Sequence, residues 1–155
     1  MPKPSSRETV PNTVSQEMAS KAIETASSLI NLIIPGPLIV HRHPDGISVD
    51  VPILYNGFAL DRIHFDLNSS EFSPKGRPAV SAIPGLDEGA ISVKVKELFK
   101  ELRVLDAAEF REPEDCWVIP LAWGKFIVAH IKVSRDGSEV VSDRGLTAEV
   151  SSRIA

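Results

Sequence analysis

Four histidines have the widest chemical range of any side chains in this sequence. His41, His43, His64 and His130 all fall in segments of alternating, strand-like character. An imidazole can pair with a carboxylate, bind an anion or ligate a metal. His41 and His43 are two apart, so a strand turns both rings to one side, a spacing that suits zinc. Zinc needs a third ligand and usually a fourth, which His64 or Asp50 would have to supply. The sequence has no metalloprotease helix motif and no cysteine cluster.

Whether these residues meet depends on register. Residues 38–43, 47–54 and 58–67 read as strands, with Asp45-Gly46 as a tight hairpin loop between the first two. After Tyr55 two turns compete. A two-residue Asn56-Gly57 loop puts His64 and Asp66 on the face of Val49 and Val51. A three-residue loop, with Gly57 left-handed, puts Ile63, Phe65 and Leu67 there and yields one apolar face, so it is preferred. His41 then faces Asp50, which faces Arg62, and His43 faces Ser48, which faces His64. Opposed side chains on neighbouring strands lie ~4.5–5.5 Å apart at Cβ.

Three readings of that polar patch follow. It is the solvated face of a half-covered sheet, its charges worth little energetically. Or it binds a small anionic ligand or an acidic peptide through Arg62 and the histidines, with Lys75 and Arg77 of a long loop closing over it and Phe72 as an apolar contact. Or it is a metal or catalytic site. Asp61 falls on the otherwise apolar face between Ala59 and Ile63. That position marks a strand end, a paired buried carboxylate or a wrong register. His130 alternates with Phe126 and Val128 and reads as a core or rim residue whose burial favours the neutral ring.

The elements that must carry these residues are legible from period and punctuation. Thr13 and Gln16 form a capping-box pattern, and apolar residues at helical spacing place a first helix over 14–33, stopped by Pro35-Gly36-Pro37. Asp87 caps a second helix over 88–103. Residues 117–123 and 126–133 are strands joined by Gly124-Lys125, and Leu146, Val150 and Ile154 mark a short last helix. Weak strands are expected at 79–83 and 139–141. The proline-rich loop 68–86 is long enough to be mobile or functional, and the acidic run 106–115 reads as a solvated connection.

The order α-β-β-β-α-β-β-α predicts an α+β fold, a single antiparallel sheet of five to six strands with helices on one face. Residues 1–12 read as a disordered tail and 13–155 as a single domain, with no internal repeat. The element order is similar to that of the small acidic secretion chaperones, which are dimeric α+β proteins, though no motif is shared and order alone carries no function.

The chain of 155 residues is 43% hydrophobic and 25% charged, with a net charge of −4, as in an ordinary globular domain. No Lys/Arg-rich run suits nucleic acid, and no apolar stretch is long enough for a membrane. The single Cys116 cannot form an internal disulfide and reads as a buried filler, which points to a reducing cytoplasm. No nucleophile elbow, phosphate loop or dinucleotide fingerprint appears, so no cofactor is expected. The sequence therefore predicts a small intracellular accessory or adaptor protein that binds a protein or ligand and forms a homodimer. The alternative is a small metal-dependent or histidine-based enzyme using His41, His43 and His64.

Overall fold

Ser15 starts the first helix: its hydroxyl accepts the Met18 N–H at 3.2 Å, satisfying one of the free donors of the first turn. The computed structural model describes residues 14–82 and 85–154, so the expected tail 1–12 and the expected Thr13 cap lie outside the described residues. Helix α1 (Gln16–Leu29) buries Ala22, Ala26 and Leu29 and stops short of the expected end, where Leu32 N–H turns back to Leu29. Then follow β1 (Ile34–Pro35), β2 (Ile39–His43), β3 (Gly46–Tyr55), β4 (Phe58–Asp66) and β5 (Glu71–Phe72). Helix α2 (Glu88–Glu101) is capped by Asp87, as expected, through a 3.1 Å bond from Ala90 N–H. After it come β6 (Arg103–Val104), β7 (Glu109–Arg111), a 3-10 turn (Glu112–Glu114), β8 (Cys116–Trp123), β9 (Phe126–Ser134), β10 (Val140–Val141) and α3 (Arg144–Ile154).

These strands form two antiparallel sheets, not the expected single one. The first has the order β1-β3-β4-β5 with β2 also on β3; the second has β10-β9-β8-β6 with β7 also on β8. A continuous sheet would require β4 to pair with β9. Instead the two-residue β5 takes the free edge of β4, and β10 takes that of β9. Strands of two or three residues have little readable period, so the sequence does not announce β5, while β10 falls within the weak strand expected at 139–141. Nor do the helices share one face. Residues of α1 and α2 join the inner faces of both sheets in one core, while α3 lies on β4 at the outer face of the first sheet.

The expected absence of a repeat is also corrected. In the first sheet Val49 pairs Phe65, Ile53 pairs Asp61, Leu54 pairs Ala59 and Tyr55 pairs Phe58, with a bulge after Ile53. In the second, Trp117 pairs Val133, Leu121 pairs Ala129, Ala122 pairs Ile127 and Trp123 pairs Phe126, with a bulge after Leu121. Every position is displaced by the same 68 residues (49 to 117, 65 to 133). Phe65 opposite Phe72 recurs as Val133 opposite Val140. Both hairpins carry a proline in the first strand, Pro52 opposite Arg62 and Pro120 opposite His130.

The broken edge strand recurs too, β1 and β2 on β3 matching β6 and β7 on β8 with one or two residues of slippage. Each unit is thus a helix followed by a five-stranded sheet, and α1 packs on β6, β8 and β9 of the other unit while α2 packs on β1 of the first. Gly137, at φ 80°, lets the turn after β9 press on α1, because a Cβ there would sit 2.8 Å from Met18 O.

Candidate functional site

Strand β2 meets β3 through Pro44-Asp45, not Asp45-Gly46, because proline presets the first turn position. His41 therefore faces Ser48 and His43 faces Gly46, two residues from the expected register. The β3–β4 loop is the two-residue one, Asn56 (φ 55°) and Gly57 (φ 84°), the pattern of a tight hairpin turn. Alone it would place His64 on the apolar face. The bulge at Leu60 adds one residue and restores Ile63 and Phe65 to the face of Val49 and Val51.

On the outer face of the first sheet, Asp50 is only 5% exposed and lies directly opposite His64. His64 Nδ1 donates to Asp50 Oδ1 at 2.6 Å, so this nitrogen carries the proton, and Arg62 donates to Oδ2 at 3.1 Å. His41 Nε2 stands 3.7 Å from Asp50 Oδ2 and 3.9 Å from Glu149 of α3, which also lies 3.7 Å from Arg62. Burial, the largest single influence, would raise the Asp50 carboxyl. The hydrogen bonds and charges of His64 and Arg62 together outweigh it and hold the carboxyl below its ordinary value.

Thus His41, Asp50, Arg62 and His64 do converge, but on each other and on Glu149, which sequence spacing could not place. His43 stands apart, sharing a 2.8 Å hydrogen bond with Ser48. Among the described residues no group of three His, Cys, Asp or Glu side chains is arranged to hold a metal.

The long loop does not close over this patch. Phe72 is buried, edge-on to Phe65 and Trp123 at 5.1 and 5.5 Å between ring centroids. Lys75 N–H donates to Ile127 O at 2.7 Å, which carries Lys75 and Arg77 to the second sheet. There Lys75 Nζ meets Asp61 at 2.6 Å, and the same carboxylate accepts Arg62 N–H and His130 N–H, each at 2.8 Å. Asp61 is the paired carboxylate among the three sequence alternatives, and it ties the two sheets together.

A cavity of about 400 Å³ opens beside this junction, between Asp61, Lys75, Arg111, Glu114, Cys116, His130 and Lys132. Burial lowers the His130 pKa, with the Asp61 charge opposing, and burial raises the Cys116 thiol, with the Glu114 charge adding. Sharing Lys75 and His130 with the cavity, an open groove of about 520 Å³ along β9 is lined by Pro74, Lys75, Arg77, Lys125, Phe126, Ile127 and His130. Phe126 is 51% exposed and Ile127 39%. Lys125, Arg111 and Lys132 were missed at the sequence level because three separate strands and turns bring them together.

Compared with known proteins, the chain matches no family model, no curated protein and no solved structure. No described helix is long and apolar enough to cross a membrane.

Proposed function

We propose that this chain is a small accessory or adaptor protein of the cytoplasm that works by binding rather than catalysis, and that its working surface is the groove along β9. The observation that carries the reading is the pairing pattern of the cations. On the outer face of the first sheet, Asp50 and Glu149 already pair with Arg62, and His64 and His41 sit against the same carboxylates. In the groove, Arg77 and Lys125 have no ion-pair partner among the described residues and flank exposed Phe126 and Ile127. Unpaired cations beside apolar surface suit an anionic group attached to an apolar body. The buried free thiol of Cys116, its pKa raised by burial, fits a reducing compartment.

A poly-glutamate probe tests the groove. It is expected to bind in low salt, weaken as ionic strength rises, and lose at least tenfold in affinity to the double variant Arg77→Glu, Lys125→Glu. Equal binding to native and variant protein would remove the groove from the function.

Self-association is a second element of the proposal, favoured by Leu32 and Ile34, which are 61% and 59% exposed at the end of the apolar run that closes α1. Sedimentation at micromolar concentration should return a dimer mass, reduced to the monomer by Leu32→Glu. A monomeric native chain ends the dimer claim.

A further inference from the structure

The internal duplication assigns an occupant to the groove. On the first sheet, the chain leaving β10 donates Asp143 N–H to Ala59 O at 2.8 Å and then forms α3. Leu146 and Val150 of α3 bury themselves on Ile39, Leu54 and Ala59, and Glu149 meets His41 and Arg62. On the second sheet, the chain leaving β5 makes the matching bond, Lys75 N–H to Ile127 O at 2.7 Å. Both partners are displaced by the same 68 residues as the hairpins (75 to 143, 59 to 127).

The two chains then part. After Asp143 comes a helix. After Lys75 come Gly76, at φ 84°, and Pro78, which break helical continuation. Ser81 is instead drawn to the start of β3, exchanging backbone hydrogen bonds of 2.8 and 2.9 Å with Ile47. Among the described residues, the outer face of the second sheet therefore keeps the position of a helix seat without a helix. Its residues equivalent to Ala59, Arg62 and His41 are Ile127, His130 and Arg111.

We propose that this vacant seat binds an amphipathic helix of a partner protein, one that carries carboxylates beside an apolar stripe. The inference rests on the groove reading above and adds the shape of the ligand. Charge sets the partner's sign: Lys75, Arg77, Arg111, Lys125 and Lys132 line the cavity and groove against the carboxylates of Asp61, Glu114 and Asp143, on a chain whose net charge is −4. The apolar stripe of the partner has Phe126 and Ile127 to cover, as Leu146 and Val150 cover Ala59. A helix in a groove is a common mode of peptide recognition, read out by residues at i and i+4. The sequence 1–13 of the chain itself does not fit, since it carries two lysine or arginine residues, one glutamate and three prolines.

Two labelled peptides of identical composition test this on the full chain by fluorescence anisotropy. One has leucine and valine at the spacing of Leu146 and Val150 with glutamates on the flanks; the other is scrambled to spoil the stripe. The patterned peptide is expected to bind at least tenfold more tightly, to gain helical circular dichroism on binding, and to lose at least tenfold in affinity to Ile127→Asp. Ile127 is 39% exposed, circular dichroism of the variant checks its fold, and Phe126→Ser, at a more exposed position and expected to lose affinity likewise, serves as a second one. Equal binding of both peptides, each weakened by Arg77→Glu with Lys125→Glu, would overturn the helix while leaving the anionic groove in place. Binding of neither, with poly-glutamate still bound, would also overturn the helix. Loss of poly-glutamate binding as well would overturn the groove itself.

Discussion

Asp61→Ala is expected to destabilise the chain by about 3 kcal/mol and to loosen the joint between the two sheets. The carboxylate accepts from Lys75 Nζ, Arg62 N–H and His130 N–H. A hydrogen bond to a charged group contributes ~1.5–3 kcal/mol. Lys75 is 29% exposed and can regain water, so the loss falls well below the sum of three bonds. The His130 N–H lies in β9 and has no such escape, so its hydrogen exchange should accelerate more than that of the neighbouring β8–β9 ladder.

The neutral variant Asp61→Asn separates charge from shape. Burial holds the His130 pKa down while the Asp61 charge pushes it up. Without that charge, the His130 ring signals should titrate at still lower pH. A histidine with a depressed folded value stabilises above its unfolded value of ~6.5 and loses that contribution as pH falls. Loss of stability on acidification should therefore be steeper in the variant. An unchanged His130 titration, or a cost under ~1 kcal/mol for Asp61→Ala, would place the joint elsewhere.

The face assignments of β3 and β4 were legible in the sequence, though for an incomplete reason. Ile63 and Phe65 do share a face with Val49 and Val51, yet the turn is two residues long and the Leu60 bulge supplies the missing step. Turn length and bulge each shift side-chain parity by one, so hydrophobic alternation reports only their combined effect. The same combination slid the polar partners by two residues, so Asp50, expected opposite Arg62, lies opposite His64. His41 missed Asp50 because the first hairpin turns one residue earlier, at Pro44-Asp45. The duplication left little trace: between 49–66 and 117–134 only Pro52 and Pro120, Phe58 and Phe126, and Ile63 and Ile131 are identical. What the units share is backbone geometry, and a strand accepts many side chains provided inward positions stay apolar. The polar chemistry is what diverged. Where the first sheet has His64, Arg62 and Asp50, the second has Lys132, His130 and Val118, and only the first face is covered by a helix of the described residues.

The closed face carries the second large effect. Asp50→Ala is expected to cost about 3 kcal/mol at pH 7, because it leaves the Arg62 guanidinium and the His64 Nδ1–H without the buried carboxylate they donate to. The side chains of His64 and Arg62 keep 13% and 27% exposure, which places the cost at the lower end for a broken buried pair. Its pH dependence identifies the mechanism. His64 and Arg62 hold the Asp50 carboxyl below its ordinary value against the opposing effect of burial. A carboxyl with a depressed folded value gives its full stabilisation above the unfolded value of ~3.9 and loses it as pH falls through the folded one. The gap between native and variant chains should therefore narrow as pH falls below about 4. Leu146 and Val150 still bury on Ile39, Leu54 and Ala59 without Asp50, so α3 should remain helical. Its amides should nonetheless exchange faster, since Arg62 and His41 lose the anchor that aims them at Glu149. A gap that persists undiminished into acid would assign the cost to lost packing at Asp50 rather than to its charge.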